Sequence, residues 1–586
     1  MNLSLTLTGN ALTLEARMLL LRGGLCIGVR LRRMLGALGH VFAALRQARV
    51  VLCGLFFLSF SLVAGDSMNP HGVFTALSSP PKGGGTLRLA LRNDPQTLDP
   101  ALVFLQTDFV LVPLLFLPLL DVTNGLTLVN YSTTEWRASP DARIYTFHLR
   151  PEIGFSNGRP VVASDYAYAL ERIADPQLAS SGKAYLTGIR RSTGNETNRT
   201  NRLAGVRCEG LHTLVVELDQ PDPTFPCLMA SIFGMAVPPE EVRRLGSGFG
   251  IRPVGTGPYQ VEEWIRGVRL LFKPNPHYCG PERRRFDRIE IMIGGDESTH
   301  LMMFERGELD IADISGFGFP MPDQRRLAKD PRWSPFIERS WMLGSDYVVL
   351  NTEMPPLDNV KIRQAISYAV DKSRRLHITN GRFTPANGII PPGMPGFNTN
   401  LVGYPYNPTR ARELLTESDV PLPIKLSFWH STSQELMTLA QGIQADLNAV
   451  GIETELKAVT GGAKYSALSI RKNVQMSLAG WGSLLPDPKD MLGVLFDGRT
   501  LTNTPTFNVA WYSNSVVDQL LDKAAISVNL MERFTLYQKV EEIVVGDAPF
   551  LFLGHGNCFA LRQPWLKGSL IDPLWMYRLD RVWIER

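Results

Sequence analysis

The chain has 586 residues, 60 of them basic and 56 acidic, for a net charge of +4. At about 100–200 residues per domain this is too long for one compact core, and so balanced a charge does not point to nucleic-acid binding. With 44% hydrophobic and 20% charged residues, and prolines and glycines dispersed rather than repeated, the composition is that of a globular protein.

The first 65 residues read as a leader. Seven arginines (Arg17, Arg22, Arg30, Arg32, Arg33, Arg46 and Arg49) face a single acid, Glu15, and precede the apolar run VVLCGLFFLSFSLVAG. A basic flank, an apolar run shorter than the roughly 20 residues of a spanning helix, and a small-residue end predict a secretory signal cut after Ala64 or Gly65. Met18 or Met34 is an alternative start, and an uncleaved anchor is the alternative reading. Residues 66–85 form a Pro/Gly/Ser linker. Order is expected from Thr86, where GTLRLAL alternates as a strand and Asn93–Asp94–Pro95 ends it. FVLVPLLFLPLLDV, broken by Pro113 and Pro118, reads as a buried helix. In YTFHLR, Tyr145, Phe147 and Leu149 alternate with polar residues. A turn at Asn157–Gly158 follows, and then a helix capped by Ser164.

HTLVVELDQPDP, VGTGPYQVEEW and RFDRIEIMI supply further strands, and YVVLNTE (347–353) another. NVKIRQAISYAVDKSRRL (359–376) is predicted helical, with Val360, Ile362, Ala365, Ile366, Ala369 and Val370 on its apolar stripe. The stretch PIKLSFWH to GIETELKAV reads as a βαβ unit with its helix at about 434–450 and Gly451 closing it. Short strands alternating with helices imply mixed α/β sheets. Beyond the leader, Cys208, Cys227, Cys279 and Cys558 contain no C-x-x-C pair. They therefore support neither zinc nor thioredoxin-like chemistry; Cys208 and Cys227 flank one strand and are close enough in sequence to pair. The chain carries no phosphate-binding G-x-x-x-x-G-K-[ST], no G-x-S-x-G and no H-E-x-x-H.

Several stretches, taken in order, resemble the extracytoplasmic solute-binding proteins of ABC importers, family 5, of peptide-, dipeptide- and oligopeptide-binding type. They are YTFHLR with Phe155, Gly158, Pro160, Ala163, Asp165, Glu171 and Arg172; PVGTGPY (253–259); KPNPHY; FERGELDIAD (304–313); LNTEMPPLDNVKIRQAISYAVDK (350–372); YNPTRARELL; and GWGSLLPDP. The resemblance covers about residues 84–586. It implies a two-lobed α/β fold of the periplasmic-binding-protein type (type II, the large cluster with an extra subdomain), with mixed sheets flanked by helices. The expected organisation is leader 1–65, linker 66–85, lobe I 86–310 with an extra subdomain at about 121–251, lobe II 311–546, and a return of 547–586 to lobe I. It also implies a periplasmic, monomeric binding protein without catalytic activity, cofactor or metal. Such a protein passes a peptide or related solute to an inner-membrane permease driven by a cytoplasmic ATPase. A non-peptide solute or a sensory role on the same fold is the alternative.

A solute held in a cleft needs apolar walls and a few placed polar groups. Trp481 ends an apolar strand, where ligands gather in open α/β sheets, and the resemblance places the pocket at this Trp. Asn351 at the end of VVL, His430 before Ser431–Ser433, and Tyr131, Phe104 and Met394 on loops are the further candidates. Peptide-binding members carry an Asp three residues after the Trp, pairing with the peptide's amino group; here that residue is Leu484. The departure leaves room for a modified peptide or another solute. Cys279 stands where many members have Trp, for which a packing effect alone is expected.

Overall fold

The computed structural model describes residues 84–585, apart from 104–105, 124, 179, 193–202, 281–284, 315–320, 380, 503–505 and 575. The leader, the linker up to residue 83 and the candidate Phe104 lie outside the described residues.

Two four-stranded sheets and a small two-stranded one (Leu120–Val122 with Leu128–Asn130) occupy the first half. In one, Thr86–Leu91 runs parallel to Arg288–Ile293, which pairs antiparallel with Arg269–Pro274, and that in turn with Tyr259–Ile265. Leu87, Leu89 and Leu91, spaced by two, all point into the core. The other four-stranded sheet is an antiparallel meander of Thr133–Ala138, Ile144–Leu149, Thr213–Glu217 and Val206–Cys208. Tyr145, Phe147 and Leu149 are buried on one of its faces, and Gly158 takes the positive φ of 88° that the Asn–Gly turn requires. The helix that follows, Ala163–Ala174, is capped by Asp165, not by Ser164: the Asp165 carboxylate accepts the Val162 amide at 2.9 Å. A residue in the first turn can reach back to the exposed amides as well as one before it. The proline-broken apolar segment is buried, but as a short helix (Gln106–Leu111), a 3₁₀ turn and a three-residue strand, because the two prolines cannot be carried inside one helix.

The second half is built on a six-stranded mixed sheet in the order Phe383–Pro385, Phe550–Leu561, Ile337–Leu350, Met476–Gly482, Ile424–Ser431, Ile452–Val459. Its last pair is the βαβ unit. The two strands run parallel over eight residues, joined by the helix Gln434–Asn448, with Gly451 at φ 95° turning the chain back. Tyr347, Val349, Phe550 and Phe552 pack into one apolar layer, and Val348, Leu350, Leu551 and Leu553 into another on the opposite face. The helix expected over 359–376 is two helices, Val360–Ala369 and Ser373–Ile378; the chain turns extended at Val370. The turn lets Lys372 reach the Ala386 carbonyl (2.9 Å) and Arg374 reach Asp446 (2.7 Å).

The chain then leaves the six-stranded sheet. Gln563 and Trp565 bond to the stretch around Asp310, and Leu566–Gly568 pairs with Val582–Ile584. The four cysteines among the described residues are free, so Cys208 and Cys227 do not pair. Among the described residues no helix is long and apolar enough to cross a membrane.

Candidate functional site

The strand Met476–Gly482 is buried at Met476–Leu478 and surfaces at its C-terminal end, Gly480–Trp481–Gly482, opposite Asp346, Ser345 and Gly344 of the neighbouring strand. A Cβ at Gly480 would lie 2.2 Å from the Asp346 carboxylate, so any larger residue there displaces that side chain. Trp481 is half-buried, meets Phe507 edge-on at 5.0 Å and donates from Nε1 to the Asp490 carbonyl at 2.8 Å. Phe507 in turn lies 5.9 Å from Tyr465 of the helix Gly461–Leu468, so the strand end carries an aromatic wall.

The loop leaving the strand, 483–490, is held from within by Asp490. This side chain is 1% exposed. Its Oδ2 accepts the Leu484 amide at 2.5 Å and lies 2.9 Å from the Ser483 hydroxyl, while Oδ1 has no hydrogen-bond partner. Burial lifts this carboxyl to about 6, against the opposing pull of those hydrogen bonds. The loop is tied down twice more. Asp487 forms a two-pronged ion pair with the fully buried Arg533 (2.8 and 3.0 Å), and Lys489 reaches Asp222 at 2.6 Å, 267 positions away in sequence. Burial would raise the Asp222 carboxyl, but the Lys489 charge together with the hydrogen bonds from Lys489 and Thr224 outweighs it, and the group stays below the usual carboxylate range.

Between this loop and residues 184–228 lies a cavity of about 490 Å³, within the range of small-molecule sites. Tyr185, Phe225, Leu228, Leu485 and Asp490 form its walls and the Lys489–Asp222 bridge crosses beside it. The walls are mainly apolar, and they come from segments far apart in sequence.

On the other face of the same strand end is a cluster of charges. Arg375 is paired with Asp346 and its guanidinium lies 3.8 Å from the centre of the Phe383 ring. Glu435 and Lys464 stand nearby; burial raises the Glu435 carboxyl and lowers the Lys464 ammonium.

Of the residues singled out in the sequence, Trp481 stands at this strand end. Asn351 and His430 are buried with their side chains committed to backbone. Asn351 Nδ2 donates to the Val474 carbonyl at 3.0 Å, its Oδ1 accepts the Glu353 amide, and His430 Nδ1 lies 2.8 Å from the Ser431 carbonyl. Met394 is packed in the core beside the six-stranded sheet. Tyr131 lines a separate void of about 20 Å³, the size of one water, with Asp121, Arg578 and Asp580. Met394 belongs to the apolar cluster against which Trp481 packs, whereas the hydrogen bonds of Asn351 and His430 and the void beside Tyr131 involve other residues. Asp490, Tyr185, Leu485, Asp222 and Lys489 carry no local signal and escape sequence reasoning, which in this loop singles out Leu484.

The model of the bacterial extracellular solute-binding proteins, family 5, matches residues 127–503. The glutathione-binding protein GsiB of Escherichia coli (strain K12) is 26% identical over 457 residues, 76% of this chain and 84% of that protein. Among solved structures, the clavulanic acid biosynthesis oligopeptide binding protein 2 superposes with a TM-score of 0.80 at 24% identity, covering 86% of this chain and 96% of that one. The ABC transporter-associated periplasmic binding protein DppA from Helicobacter pylori, in complex with the peptide STSA, superposes at 0.75 with 24% identity, over 86% and 99% of the two chains. These likenesses establish the two-lobed binding-protein fold, and the matched span shows that the chain belongs to the bacterial extracellular solute-binding proteins, family 5.

Proposed function

We propose that this protein is the periplasmic solute-binding component of an ABC importer and that it holds a peptide or related small solute in the cavity beside Trp481. The observation that carries the reading is that cavity. It is about 490 Å³, mainly apolar, and walled by segments hundreds of residues apart. The loop after Trp481 closes one side and residues 184–228 the other, as a guest held between two lobes requires. We divide the lobes as residues 86–310 and 311–546, with the tail returning to the first.

Phe225, Leu228 and Leu485 offer apolar surface in the cavity and Asp490 a carboxyl without an ion-pair partner, while Trp481 braces the loop by donating to the Asp490 carbonyl. Capture then consists of apolar burial plus a few charge-assisted contacts, and no covalent step is needed. Release to an inner-membrane permease, with a cytoplasmic ATPase supplying the energy, completes the cycle. That GsiB is named for glutathione and the Helicobacter pylori protein was solved with a tetrapeptide supports a peptide-like guest. Leu484, where an amino-group-binding Asp is expected, favours a second reading in which the guest is a modified peptide or another solute.

Mass spectrometry of solute co-purified from the native host, followed by thermal-shift screening of peptides and other solute classes, tests the assignment. A peptide-like solute bound one to one without turnover is expected. Turnover of the guest, or a shift only with a different class, overturns it.

A further inference from the structure

The cavity wall carries one charge that the fold leaves uncompensated. Asp222 is paired with Lys489 and Asp522 with Arg499. Asp490 has no ion-pair partner among the described residues. One of its oxygens is used by the loop, through the amides of Leu484 and Leu485 and the hydroxyl of Ser483. The other, Oδ1, makes no hydrogen bond although it is removed from solvent. The Tyr185 hydroxyl acts on the same carboxyl from the opposite wall as a hydrogen-bonding group that pulls its pKa down, but no donor lies within hydrogen-bond geometry of Oδ1. A buried carboxyl oxygen without a donor is costly, and a cation is the partner that offsets most of that cost. The surroundings suit an organic cation better than a metal ion: Phe225, Leu228 and Leu485 offer apolar surface, and Asp490 is the one lining carboxylate not already paired.

We propose that Asp490 is the cation-binding residue of this cavity: Oδ1 accepts an ammonium group of the solute, whose apolar body lies against Phe225, Leu228 and Leu485. The residue three after the tryptophan, Leu484, is apolar, and the same loop instead presents a carboxyl six positions later, held in place by the Leu484 amide itself. This inference rests on the reading that the cavity is the solute site, and it adds the chemical class of the guest. Tyr185, facing the carboxyl, acts as a positioning residue.

The test uses the full-length protein and two pairs of probes, each pair differing in the charged nitrogen. The first pair is phenethylammonium and its uncharged counterpart 2-phenylethanol; the second is the tripeptide Ala-Leu-Ala and its N-acetyl form. Thermal shift and titration calorimetry are run on the wild type, on Asp490→Asn, and on Tyr185→Lys. The lysine sets a competing ammonium against Asp490 from the far wall and leaves the loop's hydrogen bonds intact, so it serves even if Asp490→Asn folds poorly. The amines are expected to bind the wild type about 30-fold or more tightly than their neutral counterparts, and both variants to lose that preference. If phenethylammonium binds as predicted and neither peptide does, the Asp490 assignment stands and the peptide reading falls. If Ala-Leu-Ala and its acetylated form bind equally, the Asp490 assignment falls and the peptide reading stands; if Asp490→Asn keeps the full preference, the Asp490 assignment falls whichever probe binds. If no amine binds at all, the assignment falls.

Discussion

Replacing Arg533 with Met is expected to destabilise the protein by about 3–5 kcal/mol, the cost of stranding one partner of a buried ion pair. The Arg533 side chain is fully buried and that of Asp487 is 9% exposed. The guanidinium meets both carboxylate oxygens, at 2.8 and 3.0 Å, and also donates to the carbonyls of Ala524 and Ala525. Without it the Asp487 carboxylate keeps only the Lys489 amide, at 2.9 Å, and two helix-end carbonyls lose a donor. Part of the loss belongs to the stranded charge, so Asp487→Asn in the same molecule should restore about 2 kcal/mol, a coupling typical of residues in direct contact. Urea unfolding followed by tryptophan fluorescence and far-ultraviolet circular dichroism reads both numbers. A loss under about 1 kcal/mol in the single variant, or strictly additive effects in the double one, would refute the claim that this pair anchors the loop to the helix Leu530–Asp547. Because the same loop carries Asp490 and the carbonyl that holds Trp481, solute affinity should fall in step with stability.

Trp481→Ala should weaken solute binding by about 10-fold or more with the circular dichroism spectrum unchanged, since the ring is half-buried at the strand end and bonds only to a loop carbonyl. Equal affinity in titration calorimetry removes Trp481 from the site. Glu541 gives a pH signature: burial lifts its carboxyl from the ordinary 4.5 to about 7. A folded-state value raised above the unfolded one stabilises fully below pH 4.5, and that contribution is lost as pH rises through 7. The loss approaches about 3 kcal/mol by pH 8.5. Glu541→Gln should flatten stability between pH 5 and 8.5, and an unchanged profile in chemical denaturation contradicts the assignment. Saturating solute at 100 times its Kd should add about 2.7 kcal/mol to stability and shrink the radius of gyration in solution scattering. A solute that binds without compaction argues against closure of two lobes.

Local pattern made much of the scaffold legible. Alternation marked the strands at Thr86, Tyr145 and Arg288, and the parallel βαβ unit from Ile424 to Val459 followed from a strand, an amphipathic helix and Gly451. The order of short motifs from Tyr145 to Pro488 was enough to point to the family. These signals depend on residues two to four apart, whose relation the backbone geometry sets without help from the rest of the molecule. Where a local rule met a distant partner, the pattern misled. The periodic stretch 359–376 breaks at Val370, where Lys372 and Arg374 reach partners elsewhere in the chain.

What the amino-acid order by itself determined was the kind of elements, their succession, and a tryptophan set at the end of an apolar strand. Tertiary structure alone decided which side chains share a cavity with the loop beyond it. Tyr185 faces Asp490 and Asp222 meets Lys489 across some three hundred residues. No periodicity reports such pairs, because their proximity arises only when segments far apart in sequence pack and their buried charges must find, or be left without, a partner.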